Sequence, residues 1–215
     1  MARSGYFHGD LRRALLDAGL DAARAGGPEA VSLRELARTV GVAPSAVYRH
    51  FASHEQLIGA IARRSLAMVA DAMEDELARV PAGDATAWAD GAIAAVGLGY
   101  VRFAWREPGL FRLAFRAHGD LEAAHDEAAR GASGRTPYEQ LERAFDALEA
   151  VGELPREQRP GAEALAWSAV HGFATLTVEG PLRSLDERTR EALSWRIVEM
   201  VRLGLSATAP EPGAA

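Results

Sequence analysis

"GVAPSAVYRHF" (residues 41–51) sets a glycine and a proline three residues apart between two runs of helical periodicity, and it closes on Tyr48, Arg49, His50 and Phe51. Glycine takes positive φ without steric cost and ends a helix. Proline suits the first turn of the next one, where its missing N–H would have had no partner. The stretch therefore predicts a tight turn and then a short helix from Pro44 to about Phe51, on the order of 10 Å long at 1.5 Å per residue. With Val47 and Phe51 turned inward, Ser45, Ala46, Tyr48, Arg49 and His50 point outward. That set suits the major groove of DNA, which is about 12 Å wide and admits one helix; Tyr48 and His50 can also donate to phosphate oxygens.

The flanking segments support a helix-turn-helix. Upstream, Ser32 and Glu35 form a capping box that opens a helix with an apolar stripe of Leu33, Leu36, Ala37 and Val40. Arg34, near its start, is placed to reach phosphate or a guanine edge. Before it, a helix from about His8 to Ala25 carries Leu11, Leu15, Ala18 and Ala22 on one face, and Gly26-Gly27-Pro28 stops it. Downstream, Ser53 and Gln56 open a long fourth helix to about Val80. Five more helices follow: Trp88 to Arg106, one beginning at Pro108, one opened by "TPYE" (136–139), about Gly161 to Glu179, and about Leu185 to Ala207 with Ser184 and Glu187 as its capping box. Apolar residues recur at three and four rather than two throughout, so the fold class is all-α with about nine helices.

Net charge is −6 over 215 residues, but it is unevenly distributed. Residues 1–64 hold nine arginines against six acids; residues 65–215 hold fifteen against twenty-four. A basic head on an acidic body fits DNA contact by the head alone. There are no cysteines, which excludes disulfides, a thiolate nucleophile and cysteine-ligated zinc. The longest nearly apolar run, Gly91 to Val101, is 11 residues, short of the roughly 20 that span a bilayer. Charges at Asp10, Arg12 and Arg13 break up the amino-terminal apolar residues, so no signal peptide is expected and the protein is expected in the cytoplasm.

"SLRELARTVGVAPSAVYRHFASHEQLIGAI" (32–61) closely resembles the DNA-binding region of TetR-family transcriptional regulators in order, spacing and residue type, over roughly residues 8–64. The resemblance implies a homodimeric all-α repressor. Residues 1–64 would be its DNA-binding domain, and residues 65–215 a larger helical domain that binds a small effector and dimerises. Carried over by position, it implies DNA contacts at Arg34, Pro44, Ser45, Ala46, Tyr48, Arg49 and His50, with the start of helix 4. Two residues depart from the family pattern: Ala43 stands where a serine or threonine cap is usual, and His54 stands where a lysine commonly reaches phosphate. More loosely, "YVRFAWREPGLFRLAF" (100–115) and "WSAVHGF" (167–173) resemble the subclass named for its Trp-His-Gly motif, here Trp167, His171 and Gly172.

An effector pocket is expected among Trp88, Tyr100, Phe103, Trp105, Phe111, Phe115 and Phe145, with Arg102, His118 and His171 as candidate polar anchors; each of these aromatics has core packing as its plainer role. The last two helices are the expected dimer interface, through Ala166, Trp167, Ala169, His171, Gly172, Ala174 and Trp195, since two helices from each subunit make a four-helix bundle. The function read from this is a ligand-responsive repressor that binds a near-palindromic operator as a dimer and leaves it when a small, largely apolar effector binds. No cofactor is expected. Two rival readings stay open. One is a helical ligand-binding or interaction module with a weak DNA-binding head. The other is a metal-dependent enzyme: His50 and His54 have zinc-helix spacing, although Ser53 caps a new helix between them, and His118, Asp120 and His125 lie in a poorly patterned segment. No nucleophile motif or glycine-rich phosphate loop accompanies them.

Overall fold

The computed structural model describes residues 8–116 and 124–206. Among these residues there are nine α-helices and no strand: α1 (His8–Gly26), α2 (Leu33–Val40), α3 (Pro44–Tyr48), α4 (His54–Leu77), α5 (Ala85–Arg106), α6 (Pro108–Arg116), α7 (Pro137–Ala150), α8 (Ala162–Val178) and α9 (Glu187–Ser206). No helix among them is long and apolar enough to cross a membrane. The chain divides into two compact units. One comprises residues up to Leu66 together with Glu107–Ala129; the other comprises Ala67–Arg106 together with the residues from Arg130 onward. Helix α4 contributes its first half to one unit and its second half to the other.

In the first unit, α1 packs on α2 and α6, and α2 packs on α3. The buried face of α1 is Leu11, Leu15, Leu20 and Ala23, whereas Ala18 and Ala22 are only half-buried. The expected stripe thus turns by one residue beyond Leu15, because Gly19 lies against Ile61 of α4 and an added Cβ there would run into that side chain. Leu36 and Ala37 of α2 are buried with Val47, Phe51, Leu57 and Ile61, while Leu33 and Val40 are half-buried. Gly109 brings α6 so close to α1 that a Cβ would collide with the Ala23 carbonyl oxygen.

The second unit is organised around α5, which packs against α7, α8 and α9. Twelve of its residues between Ala89 and Ala104 are buried on all sides, as expected of a helix that is apolar all round. Gly99 meets the backbone of α4, with Met73 Cα 2.7 Å from where a Cβ would lie. Helix α7 begins in a complete capping box: Thr136 accepts from the Glu139 N–H and Glu139 accepts from the Thr136 N–H.

Four helix ends differ from the sequence expectation. Helix α4 stops at Leu77 rather than about Val80, where the chain tightens into i to i+3 bonds (Arg79 N–H to Glu76 O, 3.0 Å; Val80 N–H to Leu77 O, 3.1 Å). Helix α3 stops at Tyr48 rather than Phe51, because the chain tightens into i to i+3 bonds (Arg49 N–H to Ala46 O, 3.3 Å; His50 N–H to Val47 O, 2.9 Å) that swing Phe51 into the core. Helix α5 begins at Ala85, before Trp88, since the Asp84 carboxylate caps the Ala87 N–H at 2.9 Å. Helix α9 begins with Asp186 and not Ser184 as its cap, because the Asp186 carboxylate takes both the N–H and the hydroxyl of Thr189, at 2.9 and 2.8 Å.

Candidate nucleic-acid interface and regulatory unit

The turn between α2 and α3 rests on Gly41 at φ 76°, ψ 31°, the left-handed region that glycine enters most readily. Val42 N–H then closes the end of α2 on the Ala37 carbonyl at 2.9 Å. At the start of α2, Ser32 accepts from the Glu35 N–H at 3.3 Å. The Glu35 carboxylate does not return to complete the box; it pairs with Arg38 at 2.9 Å. At the start of α4, Ser53 accepts from the Gln56 N–H at 3.1 Å, and the Gln56 side chain accepts from the N–H of Ala52 instead of Ser53. Nothing but backbone caps α3, whose first turn follows Ala43.

This framework fixes one apolar side of the short helix, since Val47 is fully buried and Phe51 is 1% exposed beneath the Arg12 guanidinium, 5.2 Å above its ring. The opposite side is presented outward. Pro44, Ser45, Tyr48 and Arg49 are exposed, Ala46 and His50 are half-buried, and Arg34 stands exposed on α2. Neither Arg34 nor Arg49 has an acidic partner among the described residues, in contrast to Arg38, Arg24 and Arg63 of the same unit. His54 is held differently from its expected role. Its Nε2 lies 2.9 Å from the Val31 carbonyl, to which it donates, tying the start of α4 to the approach to α2 and taking that nitrogen away from any phosphate. Among the described residues no group of three or more metal-ligating side chains converges.

The aromatic residues expected around an effector separate. Phe111 and Phe115 stack on each other at 5.0 Å in the first unit, with Phe115 against a core of Leu66, Ala114 and Ala129. Trp88, Tyr100, Phe103, Trp105 and Phe145 belong to the second unit. Phe103 and Phe145 are buried core. Tyr100 is buried in a polar chain: the Trp167 Nε1–H donates to the Tyr100 hydroxyl at 3.3 Å, and that hydroxyl lies 2.7 Å from His171 Nδ1. Burial drives the tyrosine upward and the histidine below its ordinary pKa, the nearby Glu179 charge only partly opposing the latter. A neutral His171 with an accepting Nδ1 therefore completes the chain. Trp105 donates to the Thr177 hydroxyl at 2.9 Å, with Arg190 over its ring. Arg102 bridges Glu76 of α4, at 2.8 Å, and Glu191 of α9, and so serves as a cross-brace where the sequence suggested an effector anchor. His118 lies outside the described residues.

Of the aromatics expected at the pocket, Trp88 lines a cleft of about 260 Å³ in the second unit, walled by α4, α5, α7 and the loop before α7. Leu77, Ala92 and Ala144 give it an apolar wall; Glu74, Ser133, Arg135, Gln140 and Arg143 give it polar ones. Sequence reasoning passed over these polar residues. A signal existed for one of them: Gln140 shares a helical face with Ala144 and Leu148, a polar side chain in an apolar stripe.

On α8 and α9, Leu165, Leu176, Trp195, Met200 and Leu203 are large apolar side chains between 43 and 62% exposed. Ala169 and Gly172 share the outward side of α8. Ala166 and Ala174 do not: they are 4% exposed and fully buried, turned into their own unit where no second chain can reach them. Trp167 and His171, half-buried, are committed to Tyr100.

Residues 15–61 match the family model for bacterial regulatory proteins of the tetR family, and residues 93–201 match the tetracyclin repressor-like C-terminal domain. Among curated proteins, none matches the chain. Similar solved structures include a protein of unknown function from Rhodococcus sp. RHA1, with TM-score 0.72 and 24% identity, covering 95% of this chain and 100% of that one. A TetR transcriptional regulator from Rhodococcus sp. RHA1 is similar at TM-score 0.52 and 22% identity, covering 91% and 99%. RolR in complex with the ligand resorcinol is similar at TM-score 0.63 and 15% identity, covering 95% and 97%. At these identities the likeness is one of fold.

Proposed function

Because this chain belongs to the TetR family of bacterial regulatory proteins, we propose that it is a repressor that binds a near-palindromic DNA operator as a homodimer and is released by a small effector. The observation that carries the reading is the short helix α3, with Val47 and Phe51 sealed inside and Ser45, Tyr48 and Arg49 turned out, beside an Arg34 without an acidic partner among the described residues. Pro44, Ala46 and His50 complete the proposed contact set. We assign residues 1–64 to DNA binding and 65–215 to regulation. That division follows function, whereas the packing units also draw residues 107–129 toward the amino-terminal helices.

Dimerisation is supported by the exposed apolar residues of α8 and α9, two helices that pack on each other and offer a side with Ala169, Gly172 and Trp195 for close approach. A two-fold axis then dictates an operator of two half-sites spaced as the two copies of α3 are spaced. Induction is linkage: a hundredfold loss of operator affinity needs an effector that favours the DNA-incompetent arrangement by about 2.7 kcal/mol. Helix α4, which contributes to both units, is the natural lever. That a small aromatic molecule fits such a fold is supported by RolR, solved with resorcinol.

Selection of bound fragments from genomic DNA by the purified protein tests the proposal. Enrichment of a near-palindrome is expected, with log K falling against log salt at a slope near −7 if a dimer touches about eight phosphates. A flat salt dependence, or a strictly monomeric protein without duplex preference, would favour the interaction-module reading instead.

A further inference from the structure

We propose that the cleft at Trp88 and Arg143 is the effector site, and that its effector is a small hydroxylated aromatic carboxylate; this rests on the regulator reading above. The cleft is set apart from the aromatic core by its charges. Arg135 and Arg143 both line it, and neither has an acidic partner among the described residues. The one carboxylate in its wall, Glu74, is already engaged: it accepts from the Ser133 N–H at 2.9 Å, the Ser133 hydroxyl at 2.7 Å and Gln140 Nε2 at 3.1 Å. The lining therefore carries two guanidinium groups against a single acid that already accepts three hydrogen bonds, a net positive charge, and guanidinium matches a carboxylate in shape as well as in charge.

The remaining wall selects the body of the ligand. Leu77, Ala92 and Ala144 supply apolar surface, and the Trp88 ring, with the Arg143 guanidinium 5.2 Å over it, supplies a flat platform. A volume of about 260 Å³ falls just below the roughly 300–1,000 Å³ usual for ligand sites and suits a single ring.

The hydroxyl follows from an independent observation. Gln140 is 3% exposed and lines the cleft, yet its Oε1 has no hydrogen-bond partner among the described residues. The amide cannot be turned to relieve this, because its Nε2 donates to the Ala70 carbonyl at 3.1 Å and to Glu74, and both would repel an oxygen. A buried acceptor left unmade is costly, and a ligand donor offsets that cost. Through those same two bonds Gln140 holds α4, so a molecule that draws on its oxygen acts on the helix that contributes to both units.

Calorimetric titration of the full chain with 3-hydroxybenzoate, 4-hydroxybenzoate, benzoate and the neutral 4-hydroxybenzamide tests the assignment, with a DNA-binding assay run in parallel. At least one hydroxybenzoate is expected to bind at least tenfold more tightly than either benzoate or the amide. Arg143→Gln should remove the preference for acid over amide, and Gln140→Leu the preference for the hydroxylated acid, with melting curves verifying that each variant is folded. Equal affinity for acid and amide overturns the guanidinium contact, and equal affinity for hydroxybenzoate and benzoate overturns the Gln140 contact. No saturable binding by any acid, in a protein that still selects its operator, overturns this site alone. Failure to select any duplex without ligand overturns the regulator reading.

Discussion

Arginine does opposite work on the α2–α3 face and in the bundle around α5. On the first, Arg34 and Arg49 stand exposed without an acidic partner among the described residues. In the second, Arg102 joins Glu76 and Glu191, Arg159 joins Asp146 and Glu163, and Arg202 joins Glu199 and Asp90. The chain has no lysine, so every permanently charged basic side chain is an arginine and residue type alone does not separate the two roles. Pairing does. A guanidinium whose acids lie within its own unit holds that unit together, and one without them is available to a molecule from outside.

Idle unpaired arginines would undo this distinction between the two regions. Replacing Arg49 with alanine removes two charges per dimer, so the slope of log K against log salt should flatten by about 1.8. Two lost charge-assisted contacts of about 1.5 kcal/mol each weaken operator binding roughly a hundredfold. Anisotropy titrations over a salt series measure both quantities. An unchanged slope would remove Arg49 from the interface and leave the exposed face without its argument.

The paired arginines predict the reverse pattern, a change in stability without a change in operator contact. Arg102→Met leaves Glu191 without its guanidinium and Glu76 with Arg79 alone in a partly buried site, and about 2 kcal/mol should be lost in urea unfolding. Adding Glu76→Gln and Glu191→Gln should recover most of it, because the penalty lies in acids left short of a cation, and Arg79, which then loses Glu76, is exposed enough to be solvated. Salt dependence of DNA binding should stay as in the parent. A triple variant no more stable than Arg102→Met would mean that the brace acts through packing of the arginine stem.

The two regions also differ in how far their sequences could be read. Around α3 the signals are local. Gly41, Pro44 and the Val47/Phe51 spacing are turn and helix chemistry within one short stretch, and the outward residues follow from the inward ones. Around α5 the nine-helix pattern was legible, but partner choice was not. Tyr100 meets His171 across 71 residues and Gln140 meets Ala70 across 70, and no periodicity encodes which helix lies opposite another. The aromatics expected to line a pocket became core for the same reason: Phe103 and Phe145 are apolar at helical spacing whether a cavity or a neighbour faces them. The exceptions near α3 are instructive. His54 stands where a lysine commonly reaches phosphate, yet it is tied to Val31, a contact made between residues 23 apart.

A smaller effect tests how far local chemistry governs the α2–α3 turn. Gly41 has open space around it, so alanine there meets no obstacle and pays only for positive φ, about 1 kcal/mol. Two residues on, Ala43 precedes α3 with extended backbone and no side-chain cap, and serine there should add up to about 1 kcal/mol. The double variant should sit near the parent in thermal melts if the two act independently. Operator affinity is the sharper readout, since a turn that re-forms with the wrong hand would misplace Tyr48 and Arg49 even in a folded protein.

The smallest expected effect lies in the bundle and concerns pH. Burial holds the His171 pKa below its ordinary value of 6.5, and Tyr100 uses its Nδ1 as an acceptor. In the unfolded chain His171 takes up its proton near 6.5; in the folded chain it does so only at lower pH. The unfolded state therefore binds more protons between those two values, and stability falls as pH drops through the window. Above pH 6.5 the contribution vanishes. Protonation would also leave the Tyr100 hydroxyl facing N–H donors from both Trp167 and His171, with no acceptor of its own among them. His171→Gln, a side chain without a titrating proton, should remove that part of the acid sensitivity while leaving the salt dependence of DNA binding unchanged. Urea unfolding of both proteins at pH 7.5 and 5.5 measures the difference, and parallel losses in the two would mean that some other group carries the acid response.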